Sequence, residues 1–363
     1  MKKSIISLAV AAGLIASMPA QAGDVKVKWF GFAQITAGMG DGFDSNPAPG
    51  ATAETDTRFG ADRVRFGFKI KDGNVFGKLQ ADLNRPNIAS RTPLPEVIKD
   101  IEAGYKFSNA ASLKAGLFKT PVGMDFNTSG KKLDITKRGM EKRLVLERAA
   151  GVMLSGRKIA NGFGYDLFFG NPSPRGSASV TRGAAGATVG VDNTIAARVM
   201  YDMGKMMHVE LGYGIEGTSA TGPGVDDYTV LDFGLKAKMG KAHTIKFEYI
   251  AGDAVRGVQG DDETVWYAHY GFLLNKSTEL LVRHYQADQS RAAPGSQDSS
   301  MTNTYLGANF FLGSNKTNGR LQLNYVIAGG DNDVAGATNV YDGVAEGGGY
   351  HDDVILAQYQ VSF

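Results

Sequence analysis

The sequence predicts an all-β chain closed as a 16-stranded antiparallel transmembrane β-barrel. Three observations carry that expectation. Sixteen segments alternate apolar and polar residues with a period of two, the spacing that sends successive side chains of a strand to opposite faces. The connections between them alternate strictly, long then short, as in barrels with short periplasmic turns and long external loops. The polar faces carry Arg and Lys, each of which would cost roughly 2–4 kcal/mol against lipid at mid-depth but is solvated in a wet lumen. Sixteen strands leave an aqueous channel, whereas about eight would be filled by side chains.

The first segment, 25–36, sets Val25, Val27, Trp29, Ala33 and Ile35 against Lys26, Lys28, Gln34 and Thr36. The second, 62–71, alternates more cleanly, with Val64, Phe66, Phe68 and Ile70 on one face and Arg63, Arg65, Lys69 and Lys71 on the other. An Asp72-Gly73-Asn74 turn signal leads to a third segment, where Val75, Gly77, Leu79 and Ala81 continue the apolar face. The pattern recurs at 97–107, 112–119, 150–159, 161–170, 193–201, 206–216, 228–239 and 243–251. It ends with 263–274, 277–286, 302–312, 319–328 and 353–363; the faces of 150–159 and 277–286 are mixed. Trp29, Tyr105, Phe107, Tyr249 and Tyr359 lie near strand ends, where interfacial aromatic girdles belong.

Composition narrows the alternatives. Glycine supplies 48 of 363 residues, about 13% against the usual 7%, and Gly disfavours helix interiors. There is no Cys, which excludes a disulfide scaffold, a thiol nucleophile and a Cys-ligated metal. Lys2 and Lys3, the apolar run Ile5–Ala16 and the small-x-small Ala20-Gln21-Ala22 read as a secretory signal peptide over 1–22, with a barrel domain over 23–363. Residues 23–183 carry 25 Lys/Arg and 16 Asp/Glu, a net of +9; residues 184–363 carry 12 and 21, a net of −9. An exported chain of balanced charge is no partner for nucleic acid. The five His, at 208, 243, 269, 284 and 351, show no metal-ligand spacing, so no metal or other cofactor is expected. No Gly-x-Ser-x-Gly elbow or phosphate-binding loop is present, so no catalytic residue is assigned. An outer-membrane barrel enzyme is the less favoured alternative.

Three stretches add a resemblance. Ile355-Leu-Ala-Gln-Tyr-Gln-Val-Ser-Phe363 resembles the last strand of bacterial outer-membrane proteins, whose terminal aromatic is read by the barrel assembly machinery. Gly116-Leu-Phe-Lys-Thr-Pro-Val-Gly123 and Leu146-Glu-Arg-Ala149 resemble the pattern of the phosphate-selective porin O/P family. That resemblance implies a bacterial outer-membrane location, a homotrimer and a third loop, here 120–149, that folds inward and narrows the pore. It implies a water-filled passive diffusion channel that prefers small, phosphate-like anions. It also places Lys119, Ser129 and Arg148 where the family lines its constriction.

The candidate pore-lining, anion-binding residues are therefore Arg63, Arg65, Lys69, Lys119, Ser129 and Arg148. Rings of Lys and Arg favour anions, and Arg grips phosphate through two parallel hydrogen bonds. The loop adds Lys131, Lys132, Lys137 and Arg138; for these, water or lipopolysaccharide phosphate weighs slightly more than the lumen. The second half offers Arg198, Lys236, Lys238, Lys246 and Arg283 beside Glu210, Glu216, Asp232 and Glu248. A general diffusion pore with opposed positive and negative walls is thus the alternative reading.

Overall fold

The computed structural model describes residues 25–40, 56–83, 97–171, 181–182, 188–189, 191–218, 224–291, 298–330, 349–350 and 352–363. The expected signal peptide lies outside them. The barrel strands are β1 (Lys26–Gly40), β2 (Asp56–Asp72), β3 (Val75–Asp82), β4 (Ile98–Lys106), β5 (Ser112–Lys119), β6 (Arg148–Ile159), β7 (Phe163–Gly170) and β8 (Val191–Met203). The circuit continues through β9 (Met207–Thr218), β10 (Tyr228–Met239), β11 (His243–Asp253), β12 (Asp262–Asn275), β13 (Thr278–Ser290), β14 (Ser299–Phe311), β15 (Gly319–Gly330) and β16 (Val354–Ser362). Each predicted segment corresponds in order to one strand.

Every strand pairs antiparallel with its chain neighbours, and β1 pairs with β16 from Phe32↔Ser362 to Gly40↔Val354, closing the barrel. Closure matters physically because hydrocarbon offers no partner for an unpaired backbone edge. A two-residue ribbon, Thr181–Arg182 with Thr188–Val189, lies in the connection between β7 and β8.

The two faces separate as the alternation requires. Along β1, Trp29 and Ile35 are more than half exposed, while Gln34 is fully buried. Along β2, Phe66 and Ile70 point outward, whereas Arg63 and Arg65 are buried on the inner face. Trp29 stacks on Phe66 with ring centroids 5.3 Å apart. Trp29, Phe107, Phe163 and Phe363, all exposed, sit at the short-turn ends of their strands, as an interfacial girdle requires.

The apolar core lies inside the barrel. The connection between β5 and β6 turns inward and carries helix α1 (Met124–Asn127) and two 3-10 turns, Gly130–Lys132 and Met140–Arg143. Its Val122, Phe126, Ile135 and Leu144 are fully buried. They belong to one cluster with inward side chains of the wall, among them Phe118, Phe168, Val230, Ile250 and Val265.

Candidate functional site

The neck of the inward loop comes from the Lys119-Thr-Pro and Glu147-Arg148 stretches. Lys119 and Arg148 are opposite one another at the end of the β5–β6 ladder. One step further, the Thr120 N–H donates to the Glu147 carbonyl at 3.1 Å, and the Thr120 hydroxyl donates to the Leu146 carbonyl. Pro121 has no N–H, so the ladder cannot continue. Gly123 turns the chain inward with φ +89°, and a Cβ there would meet Val145 Cγ1 at 2.6 Å. Only Gly tolerates both constraints.

Beyond the neck, the loop docks on the acidic half of the wall. The Gly123 N–H donates to Asp232 Oδ2 at 2.9 Å. The Met124 and Asp125 N–H groups donate to Glu248 Oε1 and Oε2 at 2.8 and 3.0 Å. Asp125 accepts from Arg283 at 2.6 Å, and Asp134 pairs with both Arg283 and Lys246. Arg143 pairs with Glu263 at 3.3 Å. Further round, the side chains of Asn309, Arg320, Gln322, Gln358, Gln360 and Gln34 donate to backbone carbonyls of Gly130–Thr136. The loop therefore covers Asp232 and Glu248, while Glu210, held by Arg198 and His208, lines a cavity toward the short-turn end.

The opposite wall remains open and is basic. A cavity of about 280 Å³ lies between loop residues Asn127, Ser129 and Gly130 and the strands β2–β6 and β8. Arg65, Lys78, Lys114, Lys119, Arg148, Arg157 and Arg198 line it, against Asp100 and Glu102. Most of these cations are held by carboxylates. Arg65 pairs with Asp82 at 2.8 Å, Arg148 with Asp100 at 2.7 Å, and Lys114 with Glu102 at 2.7 Å. Arg157 and Arg198 share the fully buried Asp166, each at 2.7 Å. These carboxylates fix the cation heads, and two of them, Asp100 and Glu102, share the cavity lining with the cations they hold. A second cavity of about 480 Å³ toward the short-turn end shares Asn127 and Arg198 with the first and adds Lys205, Lys236 and Lys238 against Asp202 and Glu210.

Of the sequence candidates, Arg65, Lys119, Ser129 and Arg148 come together on this cavity. Lys119 also anchors the loop, donating to the Phe126 and Thr128 carbonyls. Arg63 lies behind the loop and donates to Gln34 Oε1 at 2.6 Å; a Cβ on Gly130 would sit 3.2 Å from its Cδ. Lys69 is exposed near the short-turn end, opposite Lys78. Lys132 is exposed and Lys131 half-buried. The expectation that Arg138 and Lys137 reach water or lipopolysaccharide needs correction. Arg138 is buried and donates to the Asp125 and Thr128 carbonyls at 3.0 and 2.6 Å, because the hairpin of the loop offers it carbonyls that water would otherwise supply. Lys137 pairs with Asp62 at 3.3 Å. Sequence reasoning missed Asp82, Asp100 and Asp166, whose cationic partners lie on other strands, 9 to 48 residues away along the chain. Among the described residues, no group of three His, Asp or Glu is placed to hold a metal.

One loop carboxyl makes docking pH-dependent. Glu141 is fully buried near Asp125, Arg283 and Tyr285; burial and then the Asp125 charge push it up to about 7, against the pull of Arg283. The docked loop thus keeps a proton that a released loop gives up near 4.5, so docking weakens as pH rises between those values. Burial pushes Asp125 up, but Lys246 and Arg283 outweigh it and hold that carboxyl well below its usual 3.8, so its contribution fails only in acid. Docking should be tightest near about pH 5 and looser by about 3 kcal/mol at about pH 8. Tryptic cleavage of the loop, normalised at each pH to cleavage of an unstructured substrate, should rise across that range and rise less steeply in Glu141→Gln. A normalised slope unchanged by Glu141→Gln would refute the assignment.

Known proteins share this architecture. The family model for phosphate-selective porin O and P matches residues 34–276. The chain belongs to that family. Among curated proteins nothing matches. Among solved structures, the anion-selective porin from Comamonas acidovorans superposes on the porin with a TM-score of 0.66 at 13% identity, covering 94% of this chain and 100% of its own. OmpF of Salmonella typhi, solved with daunomycin, gives 0.65 at 12% identity, covering 93% and 98%. OmpT of Vibrio cholerae gives 0.61 at 14% identity, covering 95% and 99%. These likenesses establish the 16-stranded fold. The porin is an outer-membrane β-barrel that forms a passive, water-filled channel, and family and fold point to a channel rather than an enzyme.

Proposed function

We propose that this porin is an anion-preferring channel without catalytic activity, whose selectivity resides where the loop 120–149 narrows the lumen. The observation that carries this reading is the loop's position: it covers the wall carboxylates Asp232 and Glu248 and leaves open a cavity lined by seven Lys and Arg against Asp100 and Glu102. A narrow, low-dielectric passage focuses the field of such a wall, and several weak cationic contacts in series let an anion enter and leave. Arg65, Lys119 and Arg148, with Ser129 as a hydroxyl donor, are the assigned contacts; Arg198 continues the path into the second cavity. Phosphate-like anions fit the paired geometry of Arg. The Comamonas acidovorans porin is anion-selective, which supports the same preference here. OmpT of Vibrio cholerae has been solved in a trimer form, which supports a homotrimer. Export through the 1–22 signal, reading of Phe363 by the assembly machinery, and contact of exposed loop cations with lipopolysaccharide complete the proposal.

Reversal potential in a planar bilayer under a KCl gradient tests it. The expected sign is that of chloride, with phosphate reducing chloride current in a saturable way. Cation selectivity would overturn the preference, and chloride selectivity without saturable block would leave a general anion pore.

A further inference from the structure

The wall carboxylates Asp232 and Glu248 have no part in the anion path, yet both are buried on the inner face of β10 and β11. Neither has a Lys, Arg or His at ion-pairing distance among the described residues. Burying a carboxylate without a cation is costly unless hydrogen bonds replace water. Here the replacement comes from the loop, through the N–H groups of Gly123, Met124 and Asp125. Those three residues sit where the chain leaves the neck and immediately before Asn127–Gly130, the stretch that faces the basic cavity. The same contacts therefore fix the loop edge that bounds the passage and cover two carboxyl groups that would otherwise face the lumen.

We propose that Asp232 and Glu248 are positioning residues that latch the third loop, setting the aperture of the channel and its charge preference together. Released, the loop edge would swing from the β10–β11 wall and the two carboxylates would face the conducted ions. The inference rests on the anion reading for its selectivity arm, while its aperture arm stands apart from it.

Met124→Pro and Met124→Leu test the latch at constant charge. Met124→Pro deletes the N–H that reaches Glu248 Oε1, and Pro is otherwise accepted at the first position of a helix. Met124→Leu keeps that N–H. Glu248→Gln, which does remove a charge, keeps one acceptor and turns an amide donor toward the second N–H. Single-channel conductance and reversal potential are measured for each barrel that shows heat-modifiable migration on SDS gels. Met124→Pro should raise conductance and lower the anion-over-cation permeability ratio about five-fold, with Met124→Leu matching the wild type. Glu248→Gln should raise conductance with a smaller fall in the ratio, since one of the uncovered charges is gone. Wild-type conductance and ratio in Met124→Pro, or equal changes in Met124→Leu, would overturn the latch. Should Met124→Pro fail to fold, Glu248→Gln decides: unchanged conductance overturns it. A wild type lacking anion preference would defeat the functional reading alone, because the conductance comparison still tests the latch.

Discussion

Arg148→Glu and Lys119→Glu are each expected to swing ion selectivity strongly toward cations. Both residues line the basic cavity, and they face one another across the last rung of the β5–β6 ladder. A unit charge about 4 Å from a permeating ion is worth about 1 kcal/mol in bulk water and more in a partly dehydrated passage. Reversal changes the charge by two, so the permeability ratio should fall by roughly 30-fold, against roughly 5-fold for Arg148→Gln. At position 148 the effect is reinforced. Asp100, which now pairs with both Arg148 and Lys78, would face a second carboxylate and keep one cation. Screening sets the conditions of measurement: the Debye length is about 10 Å at 0.1 M salt and about 3 Å at 1 M, so the shift should shrink steeply at high salt. Reversal potentials that do not move at low salt would show that the conduction path bypasses this cavity.

The barrel was legible in the sequence because its constraint is local. A strand between lipid and water must alternate, and β2, with Phe66 and Ile70 outward and Arg63 and Arg65 inward, does so without interruption. The two mixed segments are instructive. They became Arg148–Ile159 and Thr278–Ser290, and their inner faces carry Met153, Leu281 and Tyr285 as buried residues. Tyr285 packs against Gly139 of the loop, and Met153 joins Phe118 beside the basic cavity, so apolar residues stand on both faces of each strand and the period fades. The neck was legible for the same local reason, since Lys119, Thr120, Pro121 and the Glu147-Arg148 pair are close in sequence. The loop's destination was not. A reading by charge alone sees Asp232 and Glu248 as a negative wall opposed to a positive one. Only the three-dimensional path brings the N–H groups of Gly123, Met124 and Asp125 onto those carboxylates, and folds Arg138 into the loop while Arg65 and Arg148 line the basic cavity.

Arg283→Met is expected to release the loop. Arg283 is fully buried and serves two loop carboxylates at once, reaching Asp125 at 2.6 Å and Asp134 at 3.2 Å. It also donates to the Tyr285 hydroxyl at 2.9 Å and stacks its guanidinium 4.3 Å from the centre of the Tyr267 ring. Methionine replaces the stem but leaves Asp125 and Asp134 to share Lys246. Removing one partner from a buried ion cluster leaves an uncompensated charge, at a cost of about 3–5 kcal/mol. That exceeds any single hydrogen bond of the docked loop, each worth about 0.5–1.5 kcal/mol net, or about 1.5–3 with a charged partner. The strands keep their ladders, so the loss should appear locally: trypsin should cut at Lys131 and Lys132, conductance should rise, and heat-modifiable migration should persist. Arg283→Lys keeps the charge but cannot hold both carboxylates in one plane, and should fall between. Arg283→Met combined with Asp125→Asn should recover much of the protection, because Lys246 and Asp134 then balance one another. Recovery in the double variant separates a charge effect from lost packing against Tyr267, which the second substitution cannot restore. A single variant as resistant to trypsin as the wild type would mean that the loop is held by its apolar underside alone.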